Sequence, residues 1–286
     1  RELLLSDGVE PEVAFQTPAT AAGVAWIHYR IADADMYFLA DQTGGGTKDT
    51  AIFRCAGKAP ELWNAVDGSV REAATFTFVG GRTQVPLELD PYGSIFVVFR
   101  KPAAKGRDDG PNFPAWQQCQ TIPGPWEVSF DPRWGGPDKP VRFDALTSWT
   151  DHSDPRIRYY SGKAVYRTEF HVDKALAGQP LAVELGQVKD VGIARVSLNG
   201  TDLGVIWQPP FRVDVSRAVK AGANKLEVMV VNSWRNRLIG DQQLPEDKRL
   251  THTNIKVGGS LWKPEASGLL GPVRLMRKPL QNTASH

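Results

Sequence analysis

Cysteine is scarce in this chain. Cys55 and Cys119 are two among 286 residues, they stand far apart, and they support neither a disulfide framework nor a zinc site, leaving at most a single bridge between them. Long apolar runs are absent as well: no stretch approaches the length of a membrane span, and no signal peptide opens the sequence. Charge of one sign is missing too, because 34 basic residues face 32 acidic ones for a formal net charge of +2. A nucleic-acid partner or an anionic membrane surface demands a larger basic excess, so both are set aside. Helical periodicity is almost absent. So are the compact signatures of catalysis, with no Gly-x-Ser-x-Gly elbow, no His-Glu-x-x-His, no Cys-x-x-Cys and no Walker loop. The triple glycine Gly44-Gly45-Gly46 is followed by neither Gly-Lys-Ser/Thr nor a helix, and reads as a flexible hairpin loop rather than a phosphate cradle. His28, His171 and His252 are scattered and read as strand or loop histidines with a satisfied hydrogen bond.

What is present is the material of short strands and tight turns: nine Trp, 27 Gly and 21 Pro. That composition in a soluble chain points to an all-β fold, and the length allows two domains, each with its own core. Residues 24–30 and 35–41 form the first pair of β-rich runs, and further runs to Phe99 complete about seven strands. Alternations such as Val85, Leu87 and Leu89 on one face argue for two sheets packed together. Residues 23–101 are therefore expected to form a small β-sandwich. The polar, Pro/Gly-rich stretch 102–123 is expected to be a linker, because it offers little to pack. A second domain is expected over 124–278, with residues 1–22 as an N-terminal remnant and 279–286 as a tail. In the second domain Lys163 to Val172 alternates cleanly, and Asn199-Gly200 supplies the two positive-φ residues of a type I′ hairpin turn between Ile193 and Trp207. Asn199-Gly200-Thr201 is also a glycosylation sequon, but the turn accounts for these residues. About eight such strands are expected to make a jelly roll.

The chemistry gathers after Val228 to Val231. From Asn232 the chain reads Asn-Ser-Trp-Arg-Asn-Arg-Leu-Ile-Gly-Asp-Gln-Gln. A pyranose offers an apolar C–H face to an indole and a rim of hydroxyls to Asn, Asp, Arg and Gln, so this mixture suits carbohydrate. Trp234, Asn236, Arg237, Asp241 and Asn232 are the first candidates for sugar contact, joined by Trp262 and Trp134, which also stand among loop residues. Trp126 and Trp207 lie in alternating strands and read as structural; Trp149 fits either role. Glu127, Asp131, Asp151, Asp154, Glu184, Asp241, Glu246 and Asp247 are all placed near strand ends or loops. A glycosidase needs only two carboxylates flanking a bond, and no pair stands out as catalytic.

Several of these segments carry a resemblance. Trp126-Glu-Val-Ser-Phe, Ser148-Trp-Thr-Asp, the run from Tyr160 to Phe170, the hairpin Val196 to Asp214 and Asn232 to Asp241 resemble the galactose-binding-like jelly roll related to the sugar-binding domain of glycoside hydrolase family 2. With Trp26-Ile-His and Asp35 to Gln42 ahead of them, their order resembles the C-terminal β-sandwich region of the α-L-rhamnosidase-like enzymes of glycoside hydrolase family 106. The resemblance implies a secreted or periplasmic bacterial enzyme whose catalytic carboxylates sit on a (β/α)₈ barrel, with β-sandwich modules after it. The alternating strand and helix pattern of such a barrel does not occur here, so no catalytic glutamate can be carried over. The chain starts at Arg1, and Glu2 to Ser6 reads as a helix end before a Gly stop, as though cut from something longer together with any secretion signal. No cofactor is required, and a structural calcium ion is expected of such jelly rolls, although no Asp-rich ligand loop can be named. Three readings follow: an ancillary carbohydrate-binding portion of a glycoside hydrolase whose partners are an oligo- or polysaccharide and a catalytic barrel outside this chain, a compact autonomous glycosidase working with loop carboxylates, or a purely structural pair of domains.

Overall fold

Strict alternation of apolar and polar residues sends successive side chains to opposite faces, and wherever it occurs the chain is extended. A computed structural model describes residues 6–8, 10–255, 257–259 and 262–278. The helix end expected at Glu2 to Ser6, apart from Ser6, and the tail 279–286 lie outside the described residues. Two compact units divide between Pro114 and Ala115, and the sheets are antiparallel throughout, which makes the architecture all-β.

The described residues of the first unit hold ten strands: β1 (Val13–Phe15), β2 (Val24–Ile31), β3 (Ala34–Asp41), β4 (Thr47–Phe53), β5 (Lys58–Trp63), β6 (Val70–Glu72), β7 (Thr75–Val79), β8 (Arg82–Leu89), β9 (Ser94–Pro102) and β10 (Arg107–Asp108). They form two five-stranded sheets, ordered β1-β4-β8-β7-β10 and β2-β3-β9-β5-β6. Tyr37, Leu39, Phe53, Phe76, Val97 and Phe99 belong to one buried cluster. Each such side chain contributes about 1.5–3 kcal/mol on full burial. The sandwich is wider than residues 23–101. β1 pairs with β4, and β10 pairs with β7.

The stretch expected as a linker is built into both units. Asn112 is buried and donates from Nδ2 to the carbonyls of Thr75 and Pro86 at 2.7 and 3.0 Å, while its Oδ1 accepts from the Thr75 N–H at 2.9 Å. One carboxamide thus completes backbone bonds that no apolar side chain could. Gln117–Thr121 is a strand of the second unit, β11.

The second unit continues with β12 (Trp126–Phe130), β13 (Val141–Phe143), β14 (Lys163–Val172), β15 (Leu181–Glu184), β16 (Gln187–Lys189), β17 (Ile193–Leu198), β18 (Thr201–Ile206), β19 (Arg212–Asp214), β20 (Gly222–Val231), β21 (Gly268–Gly271) and β22 (Arg274–Arg277). A six-stranded sheet β13-β12-β14-β20-β17-β18, a four-stranded sheet β11-β22-β15-β19 and a two-stranded ribbon β16-β21 enclose the larger core. Trp126, Tyr166, Val228 and Leu275 are among its members. β14 and β20 pair over ten residues. The β17–β18 turn has φ 53° at Asn199 and 81° at Gly200, as the type I′ reading requires. Asn199 Nδ2 donates to the Ala218 carbonyl and to Asn224 Oδ1, and its Oδ1 accepts from the Lys225 N–H. The side chain serves the turn. Cys55 and Cys119 are free thiols, the former buried.

Candidate functional site

β20 ends where the apolar alternation stops, and Asn232 is the first residue beyond it. Asn232 is buried. Its Oδ1 accepts from the Gly162 N–H at 2.9 Å, and its Nδ2 donates to the Tyr160 carbonyl at 2.9 Å and to Ser267 Oγ at 3.2 Å. Four residues on, within the helix Arg235–Asp241, Asn236 donates to the Glu265 carbonyl at 2.8 Å and accepts from the Glu265 N–H at the same distance. It also donates to Ser267 Oγ at 3.0 Å. These two carboxamides tie the helix to the segment before β21, each using both of its N–H donors and one acceptor position of its oxygen.

Arg237 and Asp241 are one helical turn apart and both buried, with Arg237 Nε 3.0 Å from Asp241 Oδ1. The approach is too bent for a hydrogen bond, so those two atoms are joined by charge alone. Asp241 Oδ2 accepts from the Thr251 N–H at 2.8 Å and from its hydroxyl at 2.6 Å, and the Arg237 N–H donates to Ser161 Oγ at 3.0 Å. The structure places Asn232, Asn236, Arg237 and Asp241, expected at a sugar, in the interior. Asn232, Asn236 and Asp241 bond neighbouring backbone groups there, while Arg237 Nε and Asp241 Oδ1 meet through charge only.

The tryptophans lie differently. Asp131 caps the short helix Pro132–Trp134 by accepting from the Arg133 N–H, and the hydrogen bonds from the Arg133 guanidinium hold its carboxyl below the usual range. Gly135 then turns the chain at φ 75°; a Cβ there would lie 2.6 Å from Leu250 Cδ1 and 3.1 Å from Arg237 Nη1. Only glycine lets the loop sit down on Arg237. The result places Trp134 against Trp234, with ring centroids 5.2 Å apart and planes at 78°. Trp134 is 39% exposed and Trp234 52%. Beneath Trp234, the Ser233 N–H and hydroxyl both donate to Asp190 Oδ2. On the other side Arg235 stands 5.3 Å over the half-buried ring of Trp262. The corner so formed offers a partly exposed indole face and an adjacent edge.

Trp207 is the tryptophan that the sequence hid. Placed in the core by its alternating strand, it is 55% exposed, just past β18 on the outer edge of the six-stranded sheet. β18 is a terminal strand of that sheet, so alternation there does not mean burial. Trp126 and Trp149 are buried, and the Trp149 indole N–H donates to the Tyr166 hydroxyl.

Several of the candidate carboxylates are engaged by arginine. Asp131 is paired with Arg133, Asp154 with Arg156 and Glu184 with Arg212. Asp35, Asp41, Asp49, Glu61, Glu72, Asp131, Asp154 and Asp202 are held below the ordinary carboxylate range by cations, hydroxyls or backbone N–H donors. Among the described residues no group of three or more His, Cys, Asp or Glu is arranged to hold a metal ion, so no side-chain set can be named for the expected calcium.

Comparison with known proteins agrees with this architecture. Residues 1–77 match the family model described as alpha-L-rhamnosidase, of glycoside hydrolase family 106. A solved rhamnosidase from Novosphingobium sp. PP1Y is 34% identical and superposes with a TM-score of 0.86, over 97% of this chain and 26% of that one. A relative from Formosa agariphila, provisionally named a beta-glucuronidase, is 39% identical over 179 residues, which are 54% of this chain and 15% of the relative. This chain thus spans about a quarter of the solved rhamnosidase and less of the curated relative. The class these findings define is a glycoside hydrolase-related protein of β-sandwich architecture. Within that class the chain is similar to the galactose-binding-like β-sandwich region of the α-L-rhamnosidase-like enzymes of family 106.

Proposed function

We propose that this chain is the ancillary, carbohydrate-contacting portion of a rhamnosidase-like glycoside hydrolase, and that Trp134 and Trp234, with Trp262 beside them, form its sugar platform. The observation that carries the reading is the exposed edge-to-face pair of indoles at 5.2 Å, held by a buried polar network at a loop end of the jelly roll. Soluble domains usually cover paired indoles, and a stacking surface for a pyranose is a direct use for them left open. The glycan class is one containing rhamnose, galactose or a uronate, and it is shared with a catalytic barrel supplied outside these residues.

The autonomous glycosidase reading is weaker. A general acid in a glycosidase has a raised pKa, whereas Asp131, Asp154 and Asp202 of the second unit are each held below the ordinary range by an arginine. Titration with rhamnose- and uronate-containing polysaccharides is expected to quench tryptophan fluorescence, and Trp234→Ala to abolish that quenching while moving stability by no more than about 0.5 kcal/mol. Absence of binding across a broad glycan panel would refute the proposal. Hydrolysis of aryl glycosides by protein free of host enzymes, lost on changing one carboxylate to its amide, would establish the alternative.

A further inference from the structure

A sandwich that stands alone shows water a polar outer face on each sheet. The sheet β2-β3-β9-β5-β6 does the opposite. Its register aligns Ile27 with Phe38, Phe38 with Phe96, Phe96 with Trp63, and Trp63 with Val70, one apolar row across all five strands. Their neighbours in the strands, Tyr37, Val97 and Leu62, fill the core, so this row occupies the outer face. Phe38 and Phe96 pack with centroids 4.8 Å apart. In the next row Tyr29 is 51% exposed, and Ile31 beyond it is 60% exposed.

Two further features mark an interface. β2 is a terminal strand of its sheet, so eight residues of backbone stand beside an apolar surface, an arrangement that invites a partner. At the opposite side the face ends in charge: Glu61 accepts from Trp63 Nε1 at 3.0 Å and from Arg100 Nε at 2.8 Å, and Lys101 bridges Glu61 and Glu72. An apolar centre with a polar rim is the anatomy of a protein contact.

We infer that this face is the seat of another folded domain of a rhamnosidase-like polypeptide, presenting an apolar surface of its own. The inference rests on the ancillary role proposed above. The occupant is indicated by the comparison: the solved rhamnosidase accommodates an equivalent of this chain in 26% of its length, which leaves about three quarters of it to supply the cover. The segment matched by the alpha-L-rhamnosidase model, residues 1–77, contains four of the five strands of this sheet, β2, β3, β5 and β6.

Hydroxyl-radical footprinting read by mass spectrometry tests this without any substitution. The probes are this 286-residue chain and the full-length Novosphingobium rhamnosidase, each over a range of concentrations. Ile27, Tyr29 and Ile31, all exposed, should be oxidised readily in this chain at every concentration. The residues aligned with them in the rhamnosidase should be protected severalfold, after correction for residue type, at concentrations where it is monomeric. Equal oxidation in the two proteins would overturn the inference, because the face would then be open in both. Protection in this chain that grows with concentration would overturn it as well, by identifying a second copy as the occupant. Failure of glycan binding leaves these rates unchanged, since Trp134 and Trp234 lie in the other unit, so the two proposals fail separately.

Discussion

Arg237 and Asp241 form a buried ion pair whose outcome on mutation is set by what is left behind. Replacing Arg237 by Met keeps most of the volume but strands the Asp241 carboxylate in the interior with only Thr251 as donor. Breaking a buried pair from one side costs about 3–5 kcal/mol, and Arg237→Met is expected to lose that much in urea unfolding. The double variant with Asp241→Asn should recover part of it; a single-variant loss under about 1 kcal/mol would show the pair to be hydrated. These residues also mark a limit of reading. Asn, Arg and Asp beside Trp describe an exposed sugar site and an internally bonded loop equally well, and what places them is where the partners are. Arg237 meets Ser161 across 76 positions and Asn232 meets Gly162 across 70, contacts that no local pattern encodes. The tryptophans were more legible, since Trp134 and Trp234 stand among Gly, Pro and polar residues and are exposed, as their surroundings suggest.

Among the elements, the triple-glycine loop between β3 and β4 is instructive because it cradles an anion after all, and the anion belongs to the chain. Asp41 accepts from the Gly44 N–H at 2.9 Å, the Tyr92 N–H at 3.0 Å and the Thr43 hydroxyl at 2.8 Å. Burial alone would raise its pKa; the N–H and hydroxyl donors outweigh burial and hold it below the ordinary carboxylate value. Asp41→Asn turns an amide donor toward groups that already donate, and should cost about 1–3 kcal/mol of stability by urea unfolding near neutral pH. Hairpins and long strands could be read from sequence because alternation and turn chemistry are local, as at Asn199-Gly200. β10, β13 and β16 could not. They span two or three residues, too few to alternate, and exist through distant partners. Trp126 and Trp207 show the same limit at a sheet edge: both follow an alternating pattern, yet they occupy a central and an outer position. Trp126→Ala is expected to destabilise by about 3–5 kcal/mol and Trp207→Ala by no more than about 0.5 kcal/mol in thermal or urea melts. Similar losses for the two would mean that Trp207 is covered.

Over the whole molecule the buried carboxylates are divided unevenly, Asp35, Asp41 and Glu61 lying in the first unit and Asp241 alone among the described residues in the second, and acid should separate the two units. In the first, Asp35, Asp41 and Glu61 are buried and titrate below their ordinary values. For Asp35 burial opposes ionisation, but hydrogen bonds from Arg30, Lys58 and His28 prevail; for Glu61 burial again opposes, and Arg100, Lys101 and Trp63 prevail. Glu72, between Lys101 and Arg107, is brought down to about 2. In the second unit the groups held down are Asp131, Asp154 and Asp202, each paired with an arginine that is itself exposed to water. Such pairs are screened and weigh little on stability. A carboxyl with a depressed folded pKa contributes stability above its unfolded pKa, and that contribution is lost as pH falls through the folded value. Both units should therefore hold through the mildly acidic range. Below the ordinary carboxylate pKa the first should lose more, because protonation there leaves buried Asp35, Asp41 and Glu61 facing donors and cations they can no longer neutralise. Pepsin remains active under these conditions and reports the difference directly. The first cleavages as pH is lowered should fall within residues 6–114, while 115–278 persists as a resistant fragment. First cleavage within the second unit, or simultaneous loss of both, would show that the buried carboxylates of the first unit do not govern its acid stability.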